Sequence, residues 1–341
     1  MFWKDLPVAV TGGASFIGSH LVDKLCRLGA VVTVVDNLSS GTADNLKESP
    51  SARLINCDLE YAPISELRSV FKGNQLVFHL AAVHGGRGFI DTHPADVCSN
   101  FAIDHRVLDV AHAIGVEKVV YASSACVYPP SLQDKYESEY LLREEDSNAF
   151  RLKESLSADL EYGWAKLMCE VQLNSFIKQY GMRGCSLRFV TAYGERENET
   201  HAIVALIHKA NERMNPFEIW GTGEQSRDFT YVSDIVDGTI LAAEKIDDGT
   251  PINLGTGRRF KLVEVTNMIF DLMDFHPRIE FNRDRPTGVV NRALDITRAD
   301  RLLGWKPKVS LEEGLRRTIS WYTETHPRKG RVEERLLMER H

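Results

Sequence analysis

The sequence predicts a doubly wound α/β fold, in which helices cover both faces of a parallel sheet and a smaller α/β unit follows toward the C-terminal end. Three observations carry this. Short β-branched runs alternate with longer amphipathic stretches through the first half, the pattern of a parallel sheet with covering helices. A glycine-rich turn, Gly12 to Gly18, stands between the first run and the first amphipathic stretch. After about Tyr193 the alternation gives way to Gly- and Pro-punctuated segments of mixed charge, the mark of loops and short elements laid over the sheet. With 341 residues, 43% of them hydrophobic, the chain can bury one large core and a smaller companion.

In chain order, strands are expected at Val8 to Thr11, Val31 to Val35, Arg53 to Cys57, Leu76 to Leu80, Lys118 to Ala122 and Gly184 to Phe189, with helices between them. The stretch Pro94 to Ile114 has proline in its first turn and Gly115 just past its end, which are helix start and stop signals. It is long and partly apolar, so one face suits a partner subunit. Ile252 to Leu254 is expected to return as a strand of the first domain. The division is then 1–193, with 231–257 returning to it, against 194–230 and 258–330, followed by a polar tail at 331–341. The polar stretch from His326 to His341 is expected to fray or lie as a surface helix. A charged insertion between Tyr128 and Tyr162 suits a lid or an interface element. No internal repeat or low-complexity tract interrupts the pattern.

Composition excludes several classes. A formal net charge of −7 argues against a general nucleic-acid binder, which draws its affinity from clustered Lys and Arg on phosphates. The six cysteines are scattered, without the close pairs that hold zinc or cycle as a redox disulfide, so a reducing cytoplasm and no metal are expected. Val8 to Val10 follows Met1 too closely for a cleavable leader, and no run approaches the roughly 18 apolar residues that span a bilayer.

The turn itself has the context of a dinucleotide fingerprint. Val8 to Thr11 is a buried strand, Gly12-Gly13-Ala14-Ser15 a tight turn, and Phe16-Ile17-Gly18 a helix start. Backbone N–H groups there can approach a pyrophosphate at a helix N-terminus. Ser15 stands where the spacing would put the middle glycine. About 20 residues on, Asp36, followed by Asn37, closes the second strand, where a carboxylate accepts from both ribose hydroxyls of NAD and repels the 2′-phosphate of NADP. Asp58-Leu59 after the third strand suits the adenine, and Leu80-Ala81-Ala82 after the fourth keeps the backbone close to the cofactor.

Tyr162 and Lys166 are four apart within Asp159 to Tyr180, which reads as a helix, so both project from one face. A phenol is a poor base at neutral pH; a lysine ammonium and an oxidised nicotinamide beside it would favour the phenolate. Tyr162 would then take a hydroxyl proton as hydride leaves. Ser123 and Ser124 follow the fifth strand at the carboxyl edge, where open α/β sheets bind ligands, and Ser124 can share a hydrogen bond with the reacting hydroxyl.

Together these residues resemble the extended short-chain dehydrogenase/reductase family, specifically its nucleotide-sugar epimerases and dehydratases, and the likeness runs nearly end to end. The resemblance implies a Rossmann-type sheet, bound NAD, a nucleotide-diphosphate sugar substrate, and a homodimer through Pro94 to Ile114 and Asp159 to Tyr180. It also places Asn100 and Phe189 beside the cofactor, and it is supported by Arg227-Asp228-Phe229, Asn253-Leu254-Gly255 and Leu303-Gly304-Trp305.

Within that family, 4,6-dehydratases carry Asp-Glu after the catalytic hydroxyl, where this sequence has Ala125-Cys126. Three features instead resemble GDP-mannose 3,5-epimerase: the loop His84-Gly85-Gly86-Arg87-Gly88-Phe89-Ile90, the segment Ser123 to Pro129 bearing Cys126, and the start of the helix near Thr200-His201-Ala202. There the resemblance implies a catalytic lysine, and His201 stands in its place. Once C4 is a ketone, the C–H bonds at C3 and C5 become acidic, and inversion needs one group to remove a proton and another to supply it; Cys126 and His201 suit those roles. Arg227, Arg285 and Arg292 fall where relatives grip the diphosphate, an oxyanion that guanidinium forks suit. Thr191 replaces the family's usual asparagine. The expected activity is transient C4 oxidation with proton exchange at C3 or C5. The alternatives are a UDP-sugar 4-epimerase acting on a hexose or hexuronic acid, a 4,6-dehydratase, and a non-catalytic NAD sensor.

Overall fold

The computed structural model describes residues 2–149 and 156–328. The polar tail at 331–341, residues 329 and 330 before it, and residues 150–155 of the charged insertion lie outside the described residues.

The first half alternates as its sequence predicts. Strands β1 (Pro7–Thr11), β2 (Val31–Asp36), β3 (Arg53–Asn56), β4 (Leu76–His79), β5 (Lys118–Ser124) and β6 (Arg183–Phe189) are joined through helices α1 (Phe16–Arg27), α2 (Ile64–Phe71), α3 (Arg87–Thr92), α4 (Pro94–Ala113) and α5 (Leu160–Tyr180). The second half contributes β7 (Thr191–Tyr193), α6 (Ala202–Asn211), β8 (Phe217–Trp220), β9 (Ser226–Arg227), β10 (Phe229–Tyr231), α7 (Val232–Lys245) and β11 (Asp248–Leu254). It ends with β12 (Phe260–Lys261), α8 (Leu262–Met273), β13 (Ile279–Asn282), β14 (Asn291–Arg292), α9 (Thr297–Leu303) and α10 (Leu311–Thr325).

Seven strands form one sheet in the order β11-β6-β5-β4-β1-β2-β3, every pair parallel. The order reverses between β1 and β4, the switch point at which such sheets open a crevice at their carboxyl ends. Parallel strands covered on both faces must be apolar throughout, and Val8, Val10, Val77, Phe78, Val119, Val120 and Leu187 are at most 1% exposed. The apolar residues on the two sides of the sheet belong to separate core clusters. Helix α4 starts with proline in its first turn, and Gly115 follows it at φ +81°. Helix α5 ends on Gly181 in the left-handed conformation, its N–H bonded to the Ile177 carbonyl, a cap that glycine fills without steric cost.

After β6 the strands are short, in two- and three-stranded pieces. The described part of the insertion is stitched to one of them: the Gln133 carbonyl accepts from the backbones of Val290 and Asn291, and Leu142 pairs with Leu294. Beneath it, Arg188 donates to both oxygens of Glu170, at 2.9 and 2.7 Å, and to Tyr128 Oη, Glu144 O and Ser147 O. A fully buried guanidinium thus has charge and hydrogen bonds satisfied together, the condition on which a buried charge is tolerated. All six cysteines are free. Among the described residues no helix is long and apolar enough to cross a membrane, and no His, Cys, Asp and Glu cluster has metal-binding geometry.

Candidate active site

The carboxyl ends of β1, β4, β5 and β6 open onto a cavity of about 800 Å³. At one end lies the glycine turn. Gly12 takes φ +68°, and a side chain there would press on the Ala81 backbone; one on Gly18 would overlap the Gly12 carbonyl. Ser15 is the N-cap residue of α1, yet its side chain caps no backbone N–H, and the first turn carries no acidic residue. The helix N-terminus therefore keeps its unpaired N–H groups and positive dipole for an anion. Gly12, Ser15, Phe16, Ile17, Gly18, Leu80, Ala82, Ser123, Tyr162, Lys166 and Phe189 all line this cavity, so the residues present fit a dinucleotide.

Other expected cofactor residues lie outside that lining. Asp36 accepts from the backbones of Ala14, at 2.9 Å, and Leu38, at 2.8 Å, which ties the second strand to the turn. Asn37 donates to Asp58, whose other oxygen accepts from Glu60 and Tyr61. The Leu59 carbonyl accepts from Arg106. Asn100 is fully buried and spends its amide on Val83 and Val97, at 2.7 to 2.9 Å. It thereby fixes the backbone that follows Ala81.

Tyr162 and Lys166 share one face of α5, with Lys166 Nζ 5.6 Å from the Tyr162 ring centre. The expected phenolate is not supplied by the chain itself. Burial, then the fields of Cys126 and Asp104, raise the Tyr162 pKa, while Lys166, its own pKa lowered by burial, donates to the Ala122 carbonyl at 2.8 Å. A cation bound against the ring would act in the opposite direction. Below the lysine runs a buried polar chain that composition alone does not reveal: Thr11 Oγ1 to His79 Nδ1 at 2.7 Å, His79 Nε2 to Asp104 at 3.0 Å, and Tyr121 Oη donating to Asp104 at 2.8 Å.

Cys126 sits in a single 3₁₀ turn, Ala125–Val127, capped by Ser124, whose hydroxyl accepts from the Cys126 N–H at 3.1 Å. A Cβ on Gly163 would overlap the Cys126 carbonyl, so the glycine after Tyr162 lets α5 close on this turn. A smaller chamber of about 190 Å³ is bounded by Ser124, Cys126, Tyr162, Thr191, His201, His84, Gly85 and Arg292. His201 is the N-cap residue of α6. The Gly85-Gly86 loop lies directly against that helix start, because a side chain on Gly86 would overlap the Thr200 carbonyl.

The arginines divide into two kinds. Arg292 donates to Cys126 Sγ at 3.3 Å, Gln133 Oε1 at 2.6 Å and Asp159 Oδ2 at 2.7 Å, while Arg87 pairs with Asp159 Oδ1 at 2.9 Å and with Asp91. Burial acts upward on Asp159, but the two guanidiniums outweigh it and lower its pKa. Arg292 thus meets the cysteine turn as well as the cavity. Arg227 contacts only carbonyls, of Ser226 and Thr287, among the described residues. Burial and the Arg292 charge both disfavour its cation, so an anion in the cavity would relieve it. Arg285 is exposed, stacks on Trp220 at 5.3 Å and lies outside the cavity lining. Asp159, Glu197 and Trp220 were not singled out by the sequence, and His84 only as the start of the glycine loop; Glu197, four residues before His201, left a local signal.

A family model described as the NAD dependent epimerase/dehydratase family matches residues 8–255. UDP-glucose 4-epimerase of Mycolicibacterium smegmatis is 31% identical over 92% of this chain and 97% of its own length. GDP-mannose 3,5-epimerase 1 of Oryza sativa subsp. japonica is 30% identical over 95% of this chain and 84% of its own. The crystal structure of Thermotoga maritima UDP-glucose 4-epimerase with UDP-glucose superposes with a TM-score of 0.81 at 31% identity, covering 94% of this chain and 99% of that one. With its glycine turn, Tyr162/Lys166 face and seven-stranded parallel sheet, the chain belongs to the NAD-dependent epimerase/dehydratase family.

Proposed function

We propose that the chain is a nucleotide-sugar epimerase that uses NAD to oxidise C4 transiently and exchanges protons at C3 or C5 of the hexose. The observation that carries this reading is the chamber that brings Cys126 and His201 together with Tyr162 and Ser124. Bound NAD supplies reversible hydride acceptance at C4. The pyrophosphate would rest on Gly12 to Gly18 and the α1 N-terminus, with Asp36 behind the adenosine ribose. Tyr162 would take the C4 hydroxyl proton, Ser124 would orient that hydroxyl, and Lys166 would hold the nicotinamide ribose. The 4-ketone acidifies its neighbouring C–H bonds, so Cys126 Sγ, oriented by Arg292, removes a proton and His201 returns one from the opposite face. Arg227 would meet the diphosphate. The exposed apolar side chains of Phe101 on α4 and Trp164 and Tyr180 on α5 suit a homodimer through these helices, and six free cysteines suit a reducing compartment.

A second reading, a UDP-sugar 4-epimerase, is favoured by the likeness to enzymes of that name. It needs Tyr162 and Lys166 but no proton carrier at Cys126 or His201. Incubating the NAD-loaded protein with GDP-mannose and with UDP-glucose in D2O separates the two. Deuterium at C3 or C5 is expected, and a product inverted at C4 without label would establish the second reading instead.

A further inference from the structure

We propose that Glu197 is a positioning residue for this exchange: its buried carboxylate pairs with His201 at Nδ1, keeps the ring charged and holds it at the chamber shared with Cys126. The inference rests on the proton-exchange reading above. Glu197 Oε1 lies 3.0 Å from His201 Nδ1, with the carboxylate side chain 3% exposed and the imidazole 24%. A carboxylate so buried needs a proton or a partner. Among the described residues His201 is its only ion-pair partner, since neighbouring Arg196 is turned to Asp23 at 2.8 Å.

The two groups titrate as a unit. Burial, only partly offset by His201, raises the Glu197 pKa. Burial also acts to lower the His201 pKa, but the Glu197 carboxylate 3.0 Å away, with the Gly85 carbonyl, outweighs it and raises it. The face of the ring is held as well: His84 stacks on it, with centroids 5.7 Å apart and planes within 8°. Desolvation against the cavity wall, then the charges of His201 and Lys166, act to lower the His84 pKa, although the side chain itself opens to the cavity. Glu197, His84 and the Gly85 carbonyl are thus the groups that set the state of His201.

In one inversion the Cys126 thiolate takes the proton from carbon, and the C–H electron pair moves into the C4 carbonyl as an enolate. The enolate then takes the proton of His201 on its other face and returns to the ketone. Cys126 ends as the thiol and His201 as the neutral ring, and solvent resets both. Glu197 takes no part in the transfer itself; it keeps the imidazolium charged and in place.

The test uses the full chain loaded with NAD, ¹⁵N-labelled at histidine, with His201→Asn to assign the ring signal. In Glu197→Gln the His201 ring should titrate at lower pH than in the parent, with Glu197→Asp between them. The alkaline fall of kcat should move to lower pH with it, and kcat at neutral pH should drop about tenfold or more with little change in KM. An unmoved His201 titration would overturn the proposal whether or not a substrate is in hand. Failure of the underlying reading looks different: His201→Asn would then leave deuterium incorporation at C3 or C5 intact.

Discussion

Replacing Gly12 with alanine tests whether the turn needs glycine for its backbone conformation, for the approach of its neighbours, or for both. Gly12 and Gly115 both take left-handed φ angles, +68° and +81°, where a Cβ costs roughly 1–2 kcal/mol. At Gly115 an added Cβ meets nothing within 4 Å, so Gly115→Ala isolates the conformational cost. At Gly12 the same atom lands 2.9 Å from Ala81 N, 3.0 Å from Ala81 Cα and 3.1 Å from the Leu80 carbonyl carbon. These are backbone atoms at the end of β4 and cannot rotate aside. Reaching an ordinary contact of about 3.5 Å forces the β1 turn and the β4 end apart by about 0.5 Å, and overpacking of this kind adds about 1–3 kcal/mol. Equilibrium unfolding in urea should therefore show a loss of about 1–2 kcal/mol for Gly115→Ala and about 2–5 kcal/mol for Gly12→Ala. NAD should raise the unfolding midpoint of Gly115→Ala as it does that of the parent, and should do so much less for Gly12→Ala. Equal losses, within the roughly 0.5 kcal/mol that such comparisons resolve, would refute the steric argument.

Tyr162→Phe should lower turnover by about 10²–10⁴-fold while leaving NAD binding, followed by thermal shift, close to that of the parent; retained activity would remove the tyrosine from the chemistry. Glu170→Ala strips the buried Arg188 of the carboxylate that accepts from it at 2.9 and 2.7 Å, and should cost about 3–5 kcal/mol in denaturant unfolding, whereas a loss below 1 kcal/mol would mean that solvent reaches the guanidinium. The Arg87–Asp159–Arg292 clamp has an acid signature. Asp159 has a folded pKa below its ordinary 3.8, so its stabilisation is present above that value and is lost as pH falls through the lower folded one. Asp159→Asn should then be less stable than the parent at pH 6 and converge with it only as pH falls below that lowered folded value; parallel stability curves would rule the clamp out.

Much of the fold was legible because its signals are local. Six strands announced themselves as β-branched runs, and α4 by Pro94 and Gly115. The glycine turn was legible with its reason, since only a strand-turn-helix context gives three small residues a cradle. What the sequence could not order was the sheet: β11 lies beside β6, and the switch between β1 and β4 follows from crossover handedness and packing rather than from any residue.

The site divides along the same line. Tyr162 and Lys166, Ser124 and Cys126, and Glu197 and His201 are each at most four residues apart, so a short segment determines their mutual placement through helix or turn geometry. That these three segments meet around one chamber was decided only by the sheet that carries two of them and by the Gly85-Gly86 loop that lies against the third. Arg292 is 166 residues from Cys126 and 133 from Asp159, and no pattern along the chain says that it meets this thiol and this carboxylate. Charge identity is written in the sequence. Charge partnership is set by burial and distance, which exist only once the chain has folded.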